Sequence, residues 1–208
     1  NSAWEMEVQD WAMLQLPTPP NRQCRKDCAD FEYRFARRYF ETVANALKQY
    51  APNHLYLGCR FTPVYCPEPV LKACMEVVDV VSYNMYTREI APDRYCDFGK
   101  PVIFGEFHFG ATDRGMFHTG LQAAADQNER AALYAGYIRS LALHPTVIGA
   151  HWFKYSDQPT TGRTLDGENY NIGLVNIADV PYFELINAAK DIHSEMYTLR
   201  YNAPAPSN

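Results

Sequence analysis

The stretch Pro101-Val102-Ile103-Phe104-Gly105-Glu106-Phe107-His108-Phe109-Gly110 carries the reading of the fold. The apolar residues before Gly105 fit a strand buried on both faces, as in the parallel sheets of α/β proteins. The run ends in a glutamate, followed by a histidine set between two aromatics, Phe107 and Phe109, before Gly110. A carboxylate at the far end of such a strand is costly unless its charge is used. The C-terminal mouth of a (β/α) barrel is where catalytic groups sit. A rim salt bridge is the plain alternative, because structural ion pairs also gather at strand ends.

Outward from this strand the pattern alternates. Upstream, Phe31, Phe35, Tyr39, Val43 and Leu47 recur every four residues and predict an amphipathic helix from about Cys28 to Tyr50. After the Pro52-Asn53 break, His54 to Phe61 reads as a first strand, Pro67 to Glu76 as a short helix, and Val77 to Tyr86 as a second strand. Downstream, Asp126-x-x-Glu129 has capping-box spacing and opens a helix to about Leu143, just before Pro145. Val147 to Tyr155 is a fourth strand, a polar loop covers Ser156 to Asn171, and Pro181 starts a last helix with Leu185, Ala189, Ile192 and Met196 on one face. Such alternation means parallel strands with right-handed crossovers. A closed barrel needs eight strands, and four leave two open edges.

Side chains alternate along a strand. Glu106, Phe104 and His108 are therefore expected on one face, Ser82, Asn84 and Tyr86 on another, and Gly58 with Arg60 on a third. Trp152 and Lys154 point one way on the fourth strand, with His151 and Tyr155 opposite. A glutamate ringed by Arg60, Tyr86, His108 and Trp152 suits glycoside chemistry, which needs a carboxylate at an oxocarbenium-like centre and an aromatic face for the sugar. Each residue has a plainer reading. Arg60 is equally a counter-ion of Glu106 or Asp157, Tyr86 and Trp152 are equally core aromatics, and Asn84 equally caps a loop.

Composition narrows the classes. The 208 residues are 47% apolar and 21% charged, enough to bury a core as one domain. A net charge of −5 without a basic run argues against nucleic acid as the main partner. No segment approaches the roughly eighteen apolar residues of a membrane span, and no signal-peptide pattern begins the chain, which leaves the compartment open. The six cysteines lack metal-ligand spacing; their even count permits disulfides in an oxidising compartment, buried free thiols are the preferred reading, and no metal or cofactor is expected.

Five segments resemble the agarase family of glycoside hydrolases, family 50, in matching order and over about residues 30 to 200. They are His54 to Phe61, Asp79 to Tyr86, Gly105 to Gly110, His151 to Pro159 and Gly167 to Gly173. The resemblance implies an eight-stranded (β/α) barrel of the large retaining clan, acting on β-galactosidic bonds of an oligo- or polysaccharide. The four strands here would be its fifth to eighth, and residues 1–208 a single domain with an irregular segment at 1–27. A half-barrel of this kind would be completed by association, as a homodimer or higher oligomer. By position, Glu106 resembles the nucleophile, Tyr86 the tyrosine that hydrogen-bonds it, and Trp152 the tryptophan under the sugar. Arg60, Asn84, His108 and Glu168 resemble substrate-binding positions, and Lys154 and Asn169 are further substrate-binding candidates beside them. The family's general acid/base directly follows an asparagine. Here Asn1 is followed by Ser2, and Glu5 and Glu7 are the nearby carboxylates. A non-catalytic or weakly active truncated barrel that binds sugars, or serves as an assembly subunit, is the alternative.

Overall fold

The computed structural model describes residues 2–63, 65–90, 93–96 and 99–202. It divides into two compact units, Asn1–Gly58 with Cys66–Asp79, and Cys59–Tyr65 with Val80–Asn208.

The first unit is built on helix α1 (Arg22–Tyr50) and the shorter α2 (Glu68–Met75), preceded by 3-10 turns at Ser2–Trp4 and Trp11–Met13. Helix α1 begins ahead of the expected Cys28, because the Asn21 side chain accepts the Cys24 N–H at 2.8 Å and caps it there. The irregular segment thus ends at Asn21 rather than at residue 27. The buried face of α1 also differs from the expected one. Cys24, Ala36 and Phe40 are buried, whereas Phe31 and Phe35 are 67% and 69% exposed and stack on each other at 6.1 Å. The helix carries two apolar stripes, and the one meeting α2 is the stripe with the small Ala36, where Tyr33 donates to Glu76 at 2.5 Å.

The expected strand from His54 shrinks for a local reason. Gly58 sits at φ +64°, where a Cβ would also come within 2.8 Å of the Cys74 sulfur. Before it, Tyr56 is held by Asp79, whose carboxylate accepts the Tyr56 N–H at 2.7 Å while its own N–H donates to Tyr56 O at 2.9 Å. Val77 and Val78 donate back to Cys74 O, a turn off α2 that delays the second strand.

The second unit is a four-stranded parallel sheet in the order β1 (Arg60–Phe61), β2 (Val81–Asn84), β3 (Val102–Phe107), β4 (Val147–Trp152). Its helices are α3 (Asp93–Cys96), α4 (Gln127–Ala142) and α5 (Phe183–Tyr201). Asp126 caps α4 as its sequence predicts, accepting the N–H groups of Asn128 and Glu129 at 2.8 and 2.9 Å. The core between sheet and α4 is aromatic. Phe107 lies flat on Tyr137 at 4.1 Å, and Phe104 meets Tyr83 and Tyr137. Among the described residues no disulfide links the cysteines, and Cys24, Cys74 and Cys96 are buried. Among the described residues no helix is long and apolar enough to cross a membrane.

Candidate active site

The pairing of β3 slips on both sides, so that Asn84 stands opposite Glu106 while Tyr83 stands opposite Phe104. Gly105 is the extra residue of this bulge. The slip overturns simple alternation. Phe104 and Phe107 both face α4, and Glu106 points to the opposite side, so Phe104 and Glu106 do not share a face. Gly105 serves a second purpose, since a Cβ there would lie 2.6 Å from Arg60 Cδ. The missing side chain lets the arginine stem cross the strand.

Glu106 is held at both oxygens. Arg60 Nη1 lies 2.7 Å from Oε1, and the Tyr86 hydroxyl donates to Oε2 at 2.6 Å. Arg60 is thus the counter-ion of Glu106, not of Asp157. Its side chain is 53% exposed, so the pair contributes little to stability and acts locally to orient the carboxylate. Burial raises the Tyr86 phenol far above its ordinary pKa, and its hydrogen bond to Glu106 and the charges of Glu106 and Glu168 add to the rise. Tyr86 therefore remains a proton donor at any working pH. Asn84 stands beside this pair with a buried Oδ1 that has no partner among the described residues.

His108 joins the group through Tyr86, at 4.6 Å between rings. Its Nε2 accepts the Leu121 N–H at 2.9 Å, which places the proton of the neutral ring on Nδ1. Burial first, and then the Arg130 charge, pull the imidazole down to about 4, with the Phe153 backbone opposing. The ring is therefore a neutral wall of the site. The unfolded chain takes up this proton near pH 6.5 and the folded chain only near pH 4, so the stability is complete above about pH 6.5. It should fall by up to about 3 kcal/mol as the pH drops from 6.5 to 4. Urea unfolding at pH 7.5 and 4.5 checks this, and a His108→Asn variant with an undiminished pH slope would refute it.

The loop after β4 supplies a further wall. Glu168 is held by Gln158 Nε2 at 2.6 Å and by Arg163 at 2.9 Å, and its charge reaches the Tyr86 phenol. Asn169 is half-buried next to it. Lys154 is also half-buried, its backbone N–H donating to Ile172 O at 3.2 Å, and its ammonium has no partner among the described residues.

Trp152 stands apart from this group, unlike the ring under a sugar that its position suggests. It packs edge-on against Phe107 and Tyr134 on the α4 side, and its Nε1 donates to Ile172 O at 2.9 Å. Phe153 takes its place near His108 at 6.3 Å, because alternation ends where β4 ends. Glu5 and Glu7 are exposed and lie in the first unit. Asn1 lies outside the described residues.

Sequence reasoning missed Tyr170, which stacks on His118 at 4.7 Å and reaches His108 at 6.3 Å. It also missed a buried polar cluster of Gln127, Arg130, Asp157 and Asn171. A signal for part of it was present. Gln127 and Arg130 fall in phase with the buried Ala131, Tyr134, Tyr137, Ile138 and Leu141 of α4.

No protein-family model matches the chain. Two curated relatives do, both from Vibrio sp. strain JT0107. β-Agarase B is 42% identical over 97% of this chain, and β-agarase A 41% identical over 95%. A solved agarase structure superposes with a TM-score of 0.90 at 42% identity, covering 97% of this chain and 30% of that one. The chain spans about a fifth of the length of the curated relatives, 22% and 21%. Over nearly its whole length it is a close homologue of one stretch of the β-agarases.

Proposed function

We propose that this chain carries the nucleophile side of a retaining glycoside hydrolase site for β-galactosidic bonds. The carrying observation is Glu106 at the end of β3, with Arg60 on one oxygen and Tyr86 on the other. In the reaction a Glu106 oxygen attacks the anomeric carbon, the C1–O bond to the leaving sugar breaks, and a glycosyl ester forms. The departing oxygen takes a proton from a general acid, and water then cleaves the ester. The Asn84 Oδ1 is placed to accept a sugar hydroxyl, while Lys154, Glu168 and Asn169 line the approach. The relatives are named β-agarases, which points to an agarose-type galactan as substrate.

The test separates the two half-reactions. A dinitrophenyl β-galactoside has a leaving group acidic enough to depart without an acid catalyst, whereas an agaro-oligosaccharide needs one. Turnover of the first supports Glu106 as nucleophile. Binding of the oligosaccharide with no turnover of either substrate would favour the sugar-binding reading.

The four βα units are read as strands five to eight of an eight-stranded barrel. In the strand order of the described residues β1 and β4 are the outer strands, and outer strands are where a parallel sheet is extended by further strands. A second copy of the chain would pair those edges and bring Glu5 or Glu7 as the second carboxyl group, about 5–5.5 Å from the first in a retaining site. Sedimentation equilibrium should therefore report a dimer or higher species at micromolar concentration. A stable monomer rules out obligate pairing. Recovered activity on mixing Glu106→Gln with Glu5→Gln/Glu7→Gln chains is the result expected of a shared site.

A further inference from the structure

Arg130 is fully buried in the first turn of α4, yet among the described residues no carboxylate forms an ion pair with it. A buried cation without a direct counter-ion is costly unless its donors are satisfied. Here two are aimed at backbone carbonyls and one at a side-chain amide. Nε donates to Phe109 O at 2.7 Å, Nη2 to Gly173 O at 2.7 Å, and Nη1 to Gln127 Oε1 at 3.0 Å. The guanidinium lies over the Trp152 ring at 5.5 Å and the Tyr182 ring at 5.0 Å. Phe109 is three residues past Glu106. Gly173 closes the loop whose earlier residues, Glu168 and Tyr170, stand beside Tyr86 and His108.

The far side of the loop is fixed to the same cluster. Asn171 Nδ2 donates to Asp157 at 3.1 Å, and its Oδ1 accepts the Ala111 N–H and Gln127 Nε2, each at 3.1 Å. Asp157 also accepts the Gly173 N–H at 2.7 Å, and its charge is the leading electrostatic support of Arg130. Three segments that are distant in sequence thus meet at one guanidinium, whose rigid planar fork spans two carbonyls that an ammonium would not bridge.

We propose that Arg130 is a positioning residue for the cleft. It pins the Asn171–Gly173 segment to the end of β3 and so sets where Glu168 and Tyr170 stand relative to Glu106. The consequence for sugar binding rests on the cleft reading above, whereas the consequence for the loop does not.

The test uses the full chain with Arg130→Met and Arg130→Lys, read by amide hydrogen exchange and by calorimetric titration with an agarose-derived tetrasaccharide. Exchange should rise about tenfold or more at Phe109–Ala111 and Asn171–Gly173, while β1 and β2 keep their protection. Affinity per folded molecule should fall about tenfold in Arg130→Met, with partial recovery in Arg130→Lys. Exchange that rises equally across the whole unit, with affinity per folded molecule unchanged, would make Arg130 a stability residue only and overturn the proposal. Should Arg130→Met fail to fold, Arg130→Lys carries both measurements. A wild-type chain that does not bind the tetrasaccharide counts against the sugar reading, and the exchange pattern then decides the loop role by itself.

Discussion

Glu106→Gln is expected to lower turnover of a dinitrophenyl β-galactoside by on the order of 10⁴-fold or more. The amide has no anionic oxygen to attack the anomeric carbon. It also mismatches its surroundings, since Arg60 and Tyr86 both donate and only one amide oxygen is left to accept. Because the Arg60 side chain is 53% exposed, it swings into water, and the unfolding midpoint should move little. A 2-deoxy-2-fluoro-β-galactosyl dinitrophenolate gives an independent readout. The aryl C1–O bond breaks, dinitrophenolate leaves, and the slowed ester adds the fluorosugar mass to the peptide containing Glu106. Label on any other residue, or undiminished turnover by the Gln variant, removes Glu106 from the mechanism.

For stability, the largest expected loss belongs to Asp157→Asn, about 3–5 kcal/mol by urea unfolding. Asp157 is 4% exposed and accepts from the Gly173 N–H, from Asn171 Nδ2 and, at 2.5 Å, from the Tyr182 hydroxyl. An asparagine amide places an NH₂ against at least one of those donors and leaves the Arg130 charge without its main support. The double variant Asp157→Asn/Arg130→Met should therefore lose less than the sum of the two single losses. Additive losses, or a single loss under about 1 kcal/mol, would show that the two charges are not coupled.

The sheet and its parallel order were legible in the chain because period and punctuation are local properties. An apolar run bounded by Gly99-Lys100 and Gly105, a capping box at Asp126 and Glu129, and helices between the strands left few topologies open. The pairing of Glu106 with Arg60 and Tyr86 was legible for the same reason, since Arg60 lies in the two-residue β1, Tyr86 just beyond β2 and Glu106 one residue before the end of β3. Which of two stripes on α1 would be buried was not, because Phe31 and Phe35 are as apolar as the face that packs on α2, and only the partner decides between them. Nor was the bulge at Gly105, which is set by register against two neighbouring strands and moves Phe104 off the face of Glu106. The same holds for Trp152, assigned by alternation to the sugar and by packing to the α4 side. The sequence by itself determined the class of fold and the carboxylate to examine. Only tertiary structure decided the walls beyond Arg60 and Tyr86, because the Arg130 and Asp157 cluster unites positions more than sixty residues apart, and its buried charges are stable only when all of those partners converge.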